Sequence, residues 1–132
     1  MKRFFVLVVA VVVVLFGLAT APAYAFNQAD LTKLQSTNQC KDCDLSEAAL
    51  KRANLMGADL ERANLKGADL TGANLGGADL EKANLGTANL SQANLMGADL
   101  EKADLMGADL TNANLMGASL EKVTMPDGSK HA

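Results

Sequence analysis

The 132-residue chain has no tryptophan, one tyrosine and four phenylalanines, and of these rings only Phe26 lies beyond residue 25. A conventional aromatic core, a platform for stacking bases and an aromatic cage all need rings that this chain lacks. It is as poor in histidine, with His131 alone. The serines and threonines sit on recurring polar positions with no base assigned to them, so no nucleophilic or acid–base constellation forms. The expectation is no enzyme, no catalytic residue and no cofactor. A strong charge of one sign is missing too: 15 acidic against 12 basic side chains give a formal charge of -3, too mild for a polyphosphate-binding surface, and nucleic acid is not an expected partner. Zinc needs four ligands, and Cys40, Cys43 and a distant His131 do not supply them, so no metal is expected.

What is present begins with a targeting pattern. Lys2 and Arg3 precede an apolar run over residues 4–18, which ends in the small-residue sequence Ala23-Tyr24-Ala25. The run is shorter than the roughly 20 residues of a spanning helix, so residues 1–25 read as a cleaved signal peptide rather than a retained anchor. The expected product starts at Phe26, is exported and acidic, and has no membrane association after cleavage.

The rest of the chain has a period that is neither 2 nor 3.6. Leucine recurs at every fifth position from Leu45 to Leu120, sixteen times in succession. Two residues before each stands Ala, from Ala48 to Ala118, with Cys43 in the first unit. Between them lies Asp or Asn in fourteen of sixteen units, the exceptions being Ala49 and Ser119. A helix would scatter positions five apart around its circumference, and a flat strand would alternate their faces. The chain must turn once per unit, and such a repeat means a solenoid.

Tandem Ala-(Asp/Asn)-Leu-x-x over residues 43–122 resembles the pentapeptide-repeat family. The resemblance implies an all-β solenoid, a right-handed quadrilateral β-helix with Leu and Ala inward and four units per coil, hence about four coils. A small and a medium side chain per side suit a narrow tube. The sequence supports four sides independently, because Glu61-Arg62, Glu81-Lys82, Glu101-Lys102 and Glu121-Lys122 recur at a spacing of 20. Sorting by 20 also collects Asn54, Asn74, Asn94 and Asn114 on one side with Met56, Gly76, Met96 and Met116, and puts Met106 on a neighbouring side.

Each end of a solenoid needs a cap. In residues 26–42, Asn27 and Asp30 read as an N-cap with its capping-box partner, and Phe26 with Leu31 as a hydrophobic staple, so a short capping helix is expected there, followed by a Cys-containing linker. In residues 123–132, Val123 and Met125 keep the inward register before Pro126-Asp127-Gly128 turns the chain away into a mobile tail. Cys40 and Cys43 fall on the Leu and Ala phases, and a β-turn there would bring their Cα atoms within about 7 Å, so a structural disulfide is expected.

The leading functional expectation is a non-enzymatic protein-binding or scaffold module, monomeric or weakly dimeric. The resemblance implies the periplasm or the thylakoid lumen. The expected partner-docking residues are Met56, Met96, Met116, Asn74 and Asn94, with Met106 at the rim, because methionine adapts its shape to a partner. Two alternatives stand beside this reading. One is a DNA-mimicking, gyrase-binding protein, as some family members are; the other is thiol–disulfide exchange at Cys40 and Cys43.

Overall fold

The computed structural model describes residues 26–132, and the segment read as a signal peptide lies outside the described residues. The chain enters through one helix, α1, Gln28–Thr37. Asn27 caps it, its Oδ1 accepting from the N–H groups of Ala29 and Asp30 at 2.9 and 3.4 Å. Asn38 ends it in the left-handed conformation, its N–H returning to the Leu34 carbonyl. The capping box is not formed. The Asp30 carboxylate instead accepts the Asp44 N–H at 2.8 Å, while the Asn27 N–H donates to the Asp44 carbonyl at 2.9 Å. Asp30 thus ties α1 to the repeats, because a free sheet edge carries a N–H that needs an acceptor more than the helix start does. Leu34 is fully buried, and Phe26 and Leu31 pack partly buried against the same core. Among the described residues no helix is long and apolar enough to cross a membrane.

From Gln39 onward the backbone climbs in four ladders of parallel bridges, each joining a residue to the one twenty ahead. Gln39, Asp59, Asp79 and Asp99 belong to the first, Asp44, Asn64 and Asn84 to the second, Ala49, Asp69 and Asn89 to the third, and Asn54, Asn74 and Asn94 to the fourth. Three bonds per unit build the wall. Asn84 donates to the Ala63 carbonyl, Leu85 donates to the Asp104 carbonyl, and Thr87 donates to the Met106 carbonyl, at 2.9, 2.7 and 2.8 Å. Every side then turns a corner through a β-turn, for which the Ala88 N–H bonded to the Leu85 carbonyl at 3.0 Å is representative.

The corner explains the repeat residue by residue. The Asp or Asn before each Leu accepts, through Oδ1, the N–H of the residue after that Leu. Glu81 donates to Asp79 in this way, Gly86 to Asn84, Glu101 to Asp99 and Met116 to Asn114, all at 2.9–3.0 Å. Aspartate and asparagine interchange because both carry that oxygen on the same short stem. The second residue after Leu takes a positive φ, between 55° and 60° in Arg62, Lys82, Thr87, Gln92 and Lys102. Thr87 is β-branched, so this conformation costs it most. Thr87→Gly should therefore raise stability by about 1 kcal/mol, read as a higher urea midpoint. A lower midpoint would show that the turn gains more from the threonine side chain than from relief of strain.

Thirteen leucines, Leu45 to Leu105, are at most 4% exposed, and the alanines of the middle turns are buried with them. The two ends differ. At the C-terminal end Leu110, Leu115 and Leu120 are only partly buried. Val123 is buried as the inward register predicts, whereas Met125 is only partly buried against the core, and Thr124 between them continues the second ladder from Asp104. The tail, however, does not swing free. Gly128 reverses the chain, Lys130 pairs antiparallel with Thr124, and His131 donates to the Val123 carbonyl at 2.8 Å, because the Thr124 edge offers backbone groups to pair.

Candidate protein-binding face

The four sides differ in what they present to solvent. On the side begun by Asn54, the methionine side chains of Met56, Met96 and Met116 stand outward with Gly76 between the first two, and Met106 stands on the adjoining side; these four are 50–69% exposed. The asparagines beneath them form part of an amide ladder. Asn94 donates to Asn74 Oδ1 at 3.1 Å and Asn114 to Asn94 Oδ1 at 3.4 Å, whereas the Asn54 side chain, among the described residues, is bonded only to the Met56 N–H. The predicted residues Asn74, Asn94, Met96 and Met116 therefore come together as one patch, with Met56 set apart across Gly76. That glycine has a local cause: a Cβ there would stand 3.2 Å from Asn74 Oδ1 and 3.4 Å from Asn94 Nδ2, pressing on the ladder. Met106 borders a shallow groove with Lys66, Gly86 and Asp104.

On the charged side the outward dyads are paired. Glu81 pairs with Lys82 at 2.7 Å, Glu101 with Lys102 at 2.6 Å and Glu121 with Lys122 at 2.7 Å. The Lys82 ammonium holds the Glu81 carboxyl below the usual range, and Lys122 does the same for Glu121. At the base of this side lies a pair that sequence reasoning missed. Cys40 occupies a Leu position, so Lys41-Asp42 is the first outward dyad, with its signs reversed. Lys41 pairs with Glu61, while Arg62 grips Asp42 through Nε at 2.6 Å and Nη2 at 2.8 Å. The Arg62 guanidinium accordingly holds the Asp42 carboxyl below its ordinary value. The signal that could have found it is the spacing of five between Cys40 and Leu45. Asp59, Glu61 and Asp79 bring carboxylate oxygens within 4.8 Å of one another, but Glu61 is already held by Lys41 and Arg62.

Cys40 and Cys43 are joined in a disulfide, their Cα atoms 5.2 Å apart, and both residues are buried. Cys40 Sγ lies 3.2 Å from the Asp30 carbonyl oxygen, directly under α1. His131 stands exposed on the C-terminal hairpin.

The family of pentapeptide repeats matches in 8 copies, over residues 39–77, 73–112 and 96–126. The chain belongs to the pentapeptide-repeat family. Among solved structures, the pentapeptide repeat protein Rfr23 from the cyanobacterium Cyanothece is 30% identical, with a TM-score of 0.57 over 72% of this chain and 92% of that one. A pentapeptide repeat protein from the thylakoid lumen of Arabidopsis thaliana is 33% identical over 67% of this chain and 66% of its own, with a TM-score of 0.38. HetL of the cyanobacterium Nostoc, a pentapeptide repeat protein involved in heterocyst differentiation regulation, is 31% identical over 70% and 66%, with a TM-score of 0.34. No curated protein matches the chain. As a pentapeptide-repeat protein it has the family's right-handed quadrilateral β-helix, and the matched residues begin at 39, where the bridges also begin.

Proposed function

We propose that this pentapeptide-repeat protein is a non-enzymatic docking module of an exported compartment, in which about four coils, closed at one end by α1, present the Asn/Met side to a protein partner. The observation that carries this reading is the contrast between sides. The Glu/Lys side has its charges paired, and docking there would strip water from ordered ions. The Asn/Met side exposes Met96 and Met116 over a fixed amide ladder, where burial releases water at little cost. Export is supported by Lys2, Arg3, the apolar run over residues 4–18 and Ala23-Tyr24-Ala25; periplasm and thylakoid lumen both fit. A DNA-mimicking role fits less well, because each Glu of the column has a cation beside it. Thiol–disulfide exchange also fits less well, since both sulfurs belong to buried residues.

Met96→Glu combined with Met116→Glu tests the reading. Both side chains are exposed, so folding should be unchanged by circular dichroism, while recovery of the partner from the exported fraction should be lost. Glu81→Gln with Lys82→Gln should leave recovery intact. Undiminished recovery with the methionine variants would put the docking surface elsewhere.

A further inference from the structure

The N-terminal end of the solenoid is sealed on two sides, and along the other two, among the described residues, only the Met56 carbonyl is met, by Asn38 Nδ2 at 2.9 Å. In every later turn the residue before Leu bonds to the turn beneath through both its N–H and its carbonyl, as Asp69 does with Ala48 and Leu50 at 2.9 and 2.8 Å. In the first turn, Asn27 and Asp30 satisfy Asp44. Asp59 in turn is met by Asn38 and Cys40 at 3.0 and 2.7 Å. Ala49 and Asn54 are not served: their N–H and carbonyl groups, and the Lys51 carbonyl, have no hydrogen-bond partner among the described residues. They edge a pocket of about 640 Å³ between the C-terminal half of α1 and the first turn, with Leu34, Leu50, Ala53 and Leu55 in its lining and Lys51 and Met56 at its rim. Ala53 is only partly buried there, unlike Ala73 and Ala93 above it.

The edge also carries charge of one sign. Lys51 and Arg52 are exposed and, like Lys33, Lys66 and Lys130, form no ion pair among the described residues, whereas the dyads of the Glu/Lys side all do. An open strand edge over an apolar floor is a template for an added strand, and free cations beside it select the sign of what is added.

We infer that this edge binds an extended acidic peptide segment, which adds as a strand beneath residues 49–54. The register follows from the solenoid's own bonding. One carbonyl of the peptide accepts the Ala49 N–H, and the N–H two residues on donates to the Ala49 carbonyl; a further N–H reaches the Lys51 carbonyl. Five residues later the N–H and carbonyl of Asn54 are met in the same way, and the added strand ends there, because the Met56 carbonyl already accepts from Asn38 Nδ2 at 2.9 Å. Small and medium apolar residues of the peptide face Leu50 and Leu55. Its acidic residues stack against Lys51 and Arg52, as the pair Lys41-Asp42 stacks against Glu61-Arg62 one turn further along.

The probe is an acetylated and amidated peptide, Ala-Asp-Leu-Glu-Glu-Ala-Asn-Leu-Glu-Gly, titrated into the protein as recovered from the cell. Saturable binding is expected, with slowed hydrogen exchange at Ala49 and Asn54. Lys51→Glu with Arg52→Glu should weaken it about tenfold, and both sites are exposed enough to leave the fold intact. N-methylation of the first leucine of the peptide, which removes the N–H meant for Ala49, should abolish binding. Absence of saturable binding, equal binding of a peptide with Lys in place of Glu, or protection of the opposite edge at Leu110 and Leu115 would each overturn the inference. Slow exchange at Ala49 and Asn54 before any peptide is added would overturn it too, since residues 1–25 or a second copy would then be the occupant.

Discussion

Replacing Leu85 by alanine is expected to cost about 2 to 5 kcal/mol of unfolding free energy. Leu85 is fully buried in the middle of the stack, and its own N–H is fixed to the Asp104 carbonyl at 2.7 Å. The wall on both sides of the hole is pinned by such bonds, so it cannot collapse to recover the lost contacts, and the cavity term adds to the transfer term. The same change at Leu115 should cost clearly less, because that side chain is already partly exposed at the last turn. Denaturant titration of the two variants measures both. Equal losses at Leu85 and Leu115 would mean that the last turn is covered in solution, and no loss at Leu85 would remove it from the interior.

Breaking the disulfide should also have a large effect. Cys40→Ala with Cys43→Ala is expected to cost about 2 to 4 kcal/mol. Roughly 2 of these come from releasing a short closed loop in the unfolded chain, and the rest from an undersized side chain in a Leu position. Alanine at position 43 restores the residue of that phase, so the packing defect is confined to position 40. Because Cys40 lies under Asp30, α1 should loosen first, and its amides should exchange before those of the turns above. In the native protein, thiol labelling should find no reactive cysteine. Two labelled thiols would show that the pair is reduced in its working compartment and that the stability comes from packing alone.

The inward columns and the four sides could be read from the chain because they depend only on spacing: five for the Leu and Ala phases, twenty for the Glu-Lys dyads. The role of the Asp/Asn position could not be read so fully. The same oxygen can serve a ladder between turns or a bond to the N–H two residues on, and only the position of that N–H decides. In Asn54 the oxygen accepts the turn bond, and in Asn94 it accepts both, from the Met96 N–H and from Asn114 Nδ2. Lys41-Asp42 escaped the sorting by twenty because its signs are reversed relative to the Glu-Lys dyads, although Cys40 before it falls on the Leu phase. Asp30 was misassigned for a related reason: its partner, the Asp44 N–H, is 14 residues away in sequence and meets it only once the first turn has closed. The exposed methionines and their column were visible from spacing, whereas the open edge at Ala49 and Asn54 was not, since an unmade bond leaves no mark in composition.

The corner made by each five-residue unit has a further consequence for how such a chain can change length over its history. Losing one unit keeps every leucine inside, so the tube still closes, but it rotates everything after the deletion by a quarter turn. Met96 and Met116 would leave Asn74 and line up with a different side, and the Glu-Lys column would break. Only insertions or losses of twenty residues preserve the surface as well as the core. Folding therefore tolerates steps of five, while any partner that reads one side tolerates only steps of twenty, and the two requirements select on the same sequence with different rulers.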